Sequence, residues 1–456
     1  MILKSLFSAG TICDLKLKNR VVFPPIATAL CEPGGIVSKE LIDYHVARVK
    51  GGCGLSIVEI AAVHPSTIGL GKFGLGLFDD RFIPGLNELC LAIKIAGGTP
   101  AIQLWHAGRQ INSKDVMTDY IVAPSPIPCP LCREKPKELT IEEIRELIEA
   151  YGDAALRAKE AGFEAVEVHG AHGYLVCQFL SNYSNKRNDK YGGSVINRSR
   201  FAVEIVKNIK EKTGYKFPVI FRLSSEEFVD EGLDIVQVKQ ICSILESAGV
   251  DAIHVSAGNY QTLHYIVPPI DVPAAFNVKR AAAIKESVNI PVIVAGRIND
   301  PIMADRIISE NQADFVSVGR GQLADPDFCN KARNGDFGSI LKCIACNQGC
   351  IGRLFFEKKH VSCMLNPACG RERDFDPVAV EAPKKILVAG GGPGGLTISW
   401  IFSLSGHKVS LCEKSSSFGG QLALAATLPG REVICEAIRV MVGRAKNAGV
   451  QLRLQT

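Results

Sequence analysis

Two histidines and a tyrosine lie close together in the segment HGAHGY, residues 169–174. The chain has nine histidines in all, and His169 and His172 are followed two residues later by Tyr174. Imidazole N–H groups can donate hydrogen bonds to a substrate oxygen, and a phenol can supply a proton near neutral pH. A structural turn after the apolar run FEAVEV would also use these glycines. The position of the segment in the fold therefore has to decide between a site and a turn.

Eight short apolar segments rich in β-branched residues predict the strands of the fold. They are NRVVFPPI, LSIVEIAAV, TPAIQLWH, FEAVEVHG, PVIFRLS, DAIHVSA, PVIVAGR and ADFVSVGR. Amphipathic stretches such as KELIDYHVARVK separate them, which indicates a parallel sheet covered by helices. Eight such units over about 320 residues predict an α/β fold, a closed (β/α)8 TIM barrel. An open doubly wound sheet fits less well, because no glycine-rich phosphate loop opens the chain.

In a barrel, HGAHGY follows the fourth strand at the carboxyl end, where barrel enzymes hold their active sites. Other polar residues fall at the same level of the predicted strands: Thr28, Gln103, His106, Arg222, Arg297 and Arg320. The motifs AGR and VGR after the last two strands place a glycine and a cation where barrels commonly bind phosphate. Together these residues predict a pocket for a phosphorylated cofactor.

A cysteine motif follows the barrel in KCIACNQGC. Its spacing is Cys343-x2-Cys346-x3-Cys350, with Cys363 twelve residues beyond and Cys369 close behind as a rival fourth ligand. Paired cysteines often bind structural zinc. Three cysteines in a compact run with a fourth further on suit a [4Fe–4S] cluster better, since each iron takes one thiolate. We therefore predict an iron–sulfur site and keep zinc as the alternative.

A separate CxxC motif lies earlier in the chain, in the proline-rich segment PIPCPLCREKP. Its cysteines, Cys129 and Cys132, have no two further ligands nearby in sequence. We interpret the segment as a surface loop.

A dinucleotide fingerprint appears in KKILVAGGGPGGLTISW after FDPVAVEAPKK, which resembles a linker. The apolar strand enters Gly390-x-Gly392-x-x-Gly395, a helix follows, and the next strand ends in Glu413. Backbone N–H groups of such a loop hold a pyrophosphate, and the acid accepts from a ribose hydroxyl. The predicted domains are a barrel over 1–340, an iron–sulfur segment over 341–375 and the first part of a dinucleotide-binding domain over 376–456. The last one is expected to continue in a longer polypeptide.

The composition is that of an ordinary globular protein, with 47% hydrophobic and 22% charged residues and a net charge of +5. No block of like charge indicates nucleic acid, and no run is apolar enough to span a membrane. The N-terminus lacks the apolar core of a signal peptide, which favours a cytoplasmic protein. Sixteen cysteines in that compartment indicate metal or redox chemistry for some of them rather than disulfides. The sequence leaves homo-oligomerisation open.

Barrel, cysteine motif and dinucleotide fingerprint in this order resemble the Old Yellow Enzyme family, in particular its long iron–sulfur branch. That branch includes 2-enoate reductases, 2,4-dienoyl-CoA reductases, bile-acid oxidoreductases and trimethylamine dehydrogenase. The most specific segments are HGAHGYLVCQFLSNYSNKRNDKYGGS, KCIACNQGC and VAGGGPGGL, and the resemblance covers essentially the whole chain. It implies an NAD(P)H-dependent enzyme that contains FMN, a [4Fe–4S] cluster and FAD.

The resemblance also implies a role for individual residues. Those expected to meet the FMN ring are Ala27, Thr28, Ala61, Gln103 and Arg222, with Arg222 near flavin N1. The FMN phosphate is expected at Gly296, Arg297, Gly319 and Arg320. FAD is expected at Gly390, Gly392, Gly395, Glu413 and Gln421, and the cluster at Cys343, Cys346, Cys350 and Cys363.

In the implied reaction, His169 and His172 hydrogen-bond the carbonyl oxygen of an unsaturated acid, ketone or CoA thioester. Hydride then reaches the β-carbon, and Tyr174 protonates the α-carbon. Dienoyl-CoA reductases carry a histidine after strand six where this chain has Tyr260, with His264 four residues later, and they lack the histidine pair. A free enoate or enone is therefore favoured over a dienoyl-CoA.

Two alternatives remain at this stage. Trimethylamine dehydrogenase shares the histidine pair, but its covalent flavin cysteine corresponds to Thr28 here. Two of its cation-binding aromatics correspond to Ile60 and Leu354, and their loss removes cation–π contacts. A non-catalytic electron-transfer subunit is disfavoured because His169, His172 and Tyr174 are intact.

Overall fold

The computed structural model describes residues 2–68, 74–375 and 377–456. Asp376, at the start of the predicted last domain and within the predicted linker, lies outside the described residues.

Eight parallel strands close into a barrel, which confirms the predicted TIM-barrel fold. In chain order they are Val21–Phe23, Leu55–Ala62, Thr99–Trp105, Ala165–Gly170, Val219–Ser224, Ala252–Ser256, Val292–Ala295 and Phe315–Ser317. Each strand pairs in parallel with its sequence neighbours, and strand one closes the circle by pairing with both strand eight and strand two. All eight predicted strands are present, with ends a few residues shorter than predicted.

A helix follows each strand on the outside of the barrel. These helices are Lys39–Lys50, Ile83–Ile95, Ile141–Glu160, Val195–Thr213, Ile235–Ala248, Val278–Lys285, Pro301–Ser309 and Phe328–Arg333. Local sequence sets their starts. The helix Ile141–Glu160, for example, begins with a capping box in which Thr140 and Glu143 each accept the other's backbone N–H.

The barrel interior is apolar at its amino-terminal end. Inward residues of the strands form one buried cluster there with Ile12 and Leu17. These two residues belong to a hairpin made of Gly10–Ile12 and Leu15–Leu17, which plugs this end of the barrel. Water is thereby excluded from one end, and the other end opens into a cavity.

The chain after the barrel forms two further parts. Residues 341–375 have little regular structure apart from short helices at Gln348–Gly352, Arg353–Phe355 and Glu372–Phe375. The last part is a parallel three-stranded sheet of Lys385–Ala389, Lys408–Glu413 and Gln451–Leu454. Its helices are Pro393–Leu404, Gln421–Ala425 and Glu432–Asn447. The domain boundaries drawn from the sequence stay predictions.

The last part packs on the segment that follows the barrel. Leu341 and Leu365 belong to the same buried cluster as Leu396 and Leu411 of the three-stranded unit. Lys342 forms ion pairs with Asp300 of the barrel and with Glu436 of the last long helix, at 2.6 and 2.9 Å. Within the described residues, no helix combines the length and the apolar character needed to cross a bilayer.

Candidate active site

A large cavity opens at the carboxyl ends of the barrel strands and encloses about 1320 Å³ with its mouth included. It brings together ten of the residues predicted to contact FMN or the substrate: Ala27, Gln103, His169, His172, Tyr174, Arg222, Gly296, Arg297, Gly319 and Arg320. They come from separate strands and meet only because the barrel closes. The volume is ample for a bound cofactor and a small substrate together.

The two histidines of HGAHGY sit edge to face, with ring centroids 5.0 Å apart. Nδ1 of His169 accepts from the backbone N–H of Ala171 at 3.3 Å, so the ring hydrogen lies on Nε2. Nε2 of His172 lies 2.6 Å from the hydroxyl of Ser256. The left-handed backbone of His172 (φ 62°) turns its ring to this position. Both rings line the cavity.

Both imidazoles are held neutral. Burial, reinforced by the nearby Arg222 guanidinium, lowers the pKa of His169 and of His172 well below the ordinary value. A neutral imidazole keeps one N–H, so each ring can donate one hydrogen bond. Two such donors at the cavity wall suit a carbonyl oxygen that gains negative charge during reaction.

The phenol of Tyr174 lies next to the pair, with its ring centroid 4.7 Å from that of His169. Its hydroxyl shares a hydrogen bond of 2.8 Å with the hydroxyl of Tyr260. Burial raises the pKa of Tyr174 to about 12, while the hydrogen bond to Tyr260 lowers it in part. Tyr174 is therefore protonated at neutral pH. His264, in contrast, packs its ring on Tyr265.

A buried polar network lies beneath the cavity, and the sequence reading missed two of its members. Glu167 accepts from the Gln103 side-chain amide at 2.7 Å and hydrogen-bonds Nδ1 of His254 at 2.6 Å. The missed residues are Glu167 and His254, and each lies between apolar neighbours in its strand. Because alternate strand residues face the barrel interior, this alternation was the signal that could have identified them. Glu167 fixes the amide of Gln103 so that its oxygen is free to accept a hydrogen bond from a ligand.

Two polar groups at the cavity have no partner among the described residues. They are Nε of Arg222 and the hydroxyl of Ser317, both buried. Buried polar atoms are normally hydrogen-bonded, so unpaired ones that line a cavity favour a polar ligand there. A flavin offers several acceptors and a phosphate, and it fits this donor set.

The glycine–arginine motifs meet at one side of the cavity. Arg297 is held by the carbonyls of Ile270 and Val272, and Arg320 donates to the side chain of Asn347 at 2.5 Å. Burial, followed by the charge of Arg320, lowers the pKa of Arg297. Two guanidinium groups that repel each other favour an anion between them.

Two predicted flavin residues are not among those that line the cavity. Thr28 is fully buried, and its hydroxyl accepts from the backbone N–H of Leu30 at 3.1 Å. Ala61 points into the core between the strands and the outer helices, while its neighbour Ile60 lines the cavity. Their roles in binding the flavin stay predictions, because neither side chain lines the cavity.

Four cysteines line a second, smaller cavity of about 330 Å³ beside the first: Cys343, Cys346, Cys350 and Cys363. Cys343, Cys350 and Arg320 face both cavities. The rival ligand Cys369 is turned away, because its buried sulfur accepts from the Arg48 guanidinium at 3.6 Å. The geometry thus separates Cys363 from Cys369.

Across the described residues, no group of three or more His, Cys, Asp or Glu side chains is placed to hold a metal ion. The choice between an iron–sulfur cluster and zinc at the four cysteines stays a prediction.

The glycine fingerprint forms a strand–loop–helix unit as its pattern predicts. Gly390 has a left-handed backbone (φ 101°), and a Cβ at Gly395 would lie 1.9 Å from its carbonyl oxygen. Glu413 accepts from the backbone N–H groups of Gly391 and Ser415 at 2.6 and 2.8 Å. Gln421, the remaining predicted FAD residue, is exposed at the start of a short helix.

The CxxC motif lies in a loop whose residues are mostly exposed, as predicted, but Cys129 is turned inward. Cys129 is 1% exposed and packs in one cluster with Trp105, Tyr174 and Tyr260, and Cys132 packs at its edge. The proline-rich composition suggested exposure, but long-range packing on the active-site tyrosines determines its burial.

Comparison with known proteins gives one family. Residues 5–336 match the model of the NADH:flavin oxidoreductase / NADH oxidase family. The chain is 44% identical over 452 residues to an NADH oxidase of Thermoanaerobacter brockii, covering 98% of this chain and 69% of that protein. It is 33% identical over 475 residues to a cinnamate reductase of Clostridium sporogenes, covering 99% of this chain and 71% of that protein.

A solved structure extends the likeness to three dimensions. A 2-naphthoyl-CoA reductase bound to 2-naphthoyl-CoA superposes with a TM-score of 0.94 at 30% identity, covering 100% of this chain and 71% of that chain. The family match supports FMN and a nicotinamide nucleotide as cofactors. The chain therefore belongs to the NADH:flavin oxidoreductase / NADH oxidase family, within the Old Yellow Enzyme group that its motifs resemble.

Proposed function

We propose that this oxidoreductase reduces a C=C bond conjugated to a carbonyl group, with electrons from NAD(P)H. The observation that carries the proposal is the meeting of two neutral imidazole donors and one protonated phenol at a single cavity wall. FMN, when bound, would supply hydride to the β-carbon. The substrate class is an unsaturated acid, ketone or CoA thioester.

His169 and His172 would bind the carbonyl oxygen. Their lowered pKa values keep them as neutral donors, and removing either leaves one hydrogen bond fewer on the developing enolate. Ser256 would orient His172 by accepting from Arg222 at 3.5 Å and donating its own hydrogen to Nε2, which leaves the His172 N–H on Nδ1 for the carbonyl oxygen.

Tyr174 would deliver the proton to the α-carbon. A phenol whose pKa is raised to about 12 stays protonated yet can give its proton to a strongly basic enolate carbon. Tyr260 would assist, since its hydroxyl hydrogen bond stabilises the phenolate that forms.

Gln103, Arg222 and the two glycine–arginine motifs would hold FMN. Gln103, fixed by Glu167, would accept from the ring, and Arg222 would place a fixed cation where the reduced ring is anionic. Arg297 and Arg320 would bind the phosphate. The unpaired Arg222 Nε and Ser317 hydroxyl support this fit.

Cys343, Cys346, Cys350 and Cys363 would hold a [4Fe–4S] cluster next to the flavin cavity. The shared lining by Cys343 and Cys350 supports electron transfer between the two sites. FAD would bind at the Gly390–Gly395 loop, where electrons from the nicotinamide would enter.

An amine dehydrogenase is the competing function. Ile60 and Leu354 line the cavity where aromatic side chains would favour an ammonium group. In anaerobic assays, cinnamate or a Δ4-3-oxosteroid should reoxidise the dithionite-reduced protein. Oxidised protein should not be bleached by trimethylamine. Bleaching by the amine, with no reoxidation by any unsaturated carbonyl, would replace the proposal by the competing function.

The cluster has its own test. Protein purified anaerobically should contain about four irons per chain. Cys363→Ser should lose iron and the visible absorption of the cluster, whereas Cys369→Ser should keep both. One zinc per chain, or iron loss only in Cys369→Ser, would contradict the ligand assignment.

A further inference from the structure

The CxxC pair lies against the residues that form the substrate wall. Cys129 belongs to the buried cluster of Trp105, Tyr174 and Tyr260, and Cys132 packs at its edge and is partly exposed. Neither thiol lines the large cavity at the strand ends or the smaller cavity lined by Cys343, Cys346, Cys350 and Cys363. The proposed reaction therefore leaves this pair without a role.

The chain reverses direction at the pair. The backbone N–H of Arg133 donates to the carbonyl of Cys129 at 2.7 Å, which closes a turn over Pro130 to Cys132. Cys129 and Cys132, three residues apart in this turn, also pack in the same cluster. Two cysteines brought together by a tight turn meet the first requirement for a disulfide.

A buried cation fixes this turn. The Arg109 guanidinium donates to the carbonyls of Ile127 at 3.1 Å and Pro128 at 3.4 Å. Arg109 is 4% exposed, and its Nε has no partner among the described residues. Its charge therefore acts in a medium that screens it weakly.

These surroundings favour the thiolate of Cys129. The neighbouring Cys132 thiol lowers the pKa of Cys129, with help from two backbone N–H groups and Arg109 and against the effect of burial. The same interaction, together with burial, raises the pKa of Cys132. An electropositive site that holds one thiolate beside one thiol is typical of a reactive dithiol.

We propose that Cys129 and Cys132 form a redox-active dithiol–disulfide couple behind the wall of the substrate site, oxidised by hydrogen peroxide. Reduced flavins form hydrogen peroxide with dioxygen, so a bound flavin would supply this oxidant. The partly exposed Cys132 side of the turn gives this small molecule access.

The chemistry balances in two steps. The Cys129 thiolate attacks the O–O bond, which breaks and releases one water after protonation, and Cys129 becomes a sulfenic acid. The Cys132 sulfur then attacks the Cys129 sulfur, a second water leaves, and the disulfide forms. Two thiols are oxidised, one peroxide is reduced to two waters, and a low-molecular-weight thiol restores the dithiol by exchange.

Peptide mapping tests the proposal directly. The tryptic peptide 115–133 holds both cysteines and no other, and the peptide 432–439 holds only the exposed Cys435. The whole chain is treated anaerobically with hydrogen peroxide, quenched with acid, alkylated and digested. Peptide 115–133 should become unalkylated and two hydrogens lighter at least ~10-fold faster than Cys435 loses its thiol. Equal or slower oxidation than at Cys435 would overturn the proposal.

A variant separates the two steps. In Cys132→Ser the second step is blocked, so Cys129 should accumulate as a sulfenic acid that dimedone traps. Dithiothreitol should restore both alkylatable thiols in the parent protein. A Cys129 that takes up no dimedone under conditions that oxidise the parent would remove its role as the attacking thiolate.

Discussion

The two ends of the barrel interior are built on the same strands yet differ in chemistry. On strand five, Ile220 faces inward in the apolar cluster, and Arg222, two residues on, lines the cavity. On strand four, Ala165 likewise belongs to the apolar cluster and His169 lines the cavity, with Glu167 between them. The hairpin closes one end against water, and the other end is open. Burial at the first end stabilises the barrel, and polar groups at the second bind and react.

The largest expected effect is on stability, from the apolar end. Ile220→Ala should lower the free energy of unfolding by about 2–5 kcal/mol, because it leaves a cavity in a packed core, and Ile220→Val by about 0.5–1.5 kcal/mol. Urea unfolding measures both. FMN affinity of the folded protein should stay unchanged. A weakened FMN affinity without loss of stability would show that the two ends are not separate.

The next effect is on chemistry, from the polar end. Tyr174→Phe should slow reoxidation by an enoate about 100-fold, since a positioned acid is lost, with flavin reduction by dithionite unaffected. Stopped-flow spectroscopy measures the rates of flavin reduction and of reoxidation separately. Tyr183→Phe is the matched control, because its hydroxyl donates to Gln261 outside the cavity. Equal slowing in both variants would refute the acid role.

A smaller effect is expected for the oxygen-binding pair. His169→Ala and His172→Ala should each weaken binding of a phenolate-like inhibitor about fivefold, since a hydrogen bond contributes about 1 kcal/mol. Spectral titration gives the dissociation constants. Tight binding that survives in both variants would make the pair structural.

An effect of comparable size depends on pH and again concerns the polar end. His106 lies at the polar end and hydrogen-bonds Ser66 at 2.8 Å, and burial lowers its pKa from 6.5 to about 3. Below pH 6.5 the unfolded chain binds a proton that the folded chain does not, so stability falls as pH falls. His106→Gln should remove about 1.4 kcal/mol of the loss between pH 7.5 and 5.5. Urea unfolding at both values checks this, and an unchanged loss would contradict it.

Local signals predicted most of the fold and much of the site. The alternation of apolar runs with helices gave all eight strands, and the carboxyl-end rule placed HGAHGY, Arg222 and the glycine–arginine motifs at one face. Buried polar residues were harder to find. Glu167 and His254 lie inside apolar strands, where an isolated polar residue is commonly a hydrogen-bonded residue of the core without a functional role.

The sequence alone determined which segments become strands, helices and glycine loops, because these depend on neighbours within one turn or one pleat. Only the tertiary structure decided that Tyr174 meets Tyr260, that Cys363 and not Cys369 faces the cysteine cavity, and that Cys129 is buried. These contacts join residues far apart in the chain. They form because closure of the barrel brings distant loops to one end. A local sequence pattern does not show which of these loops will meet.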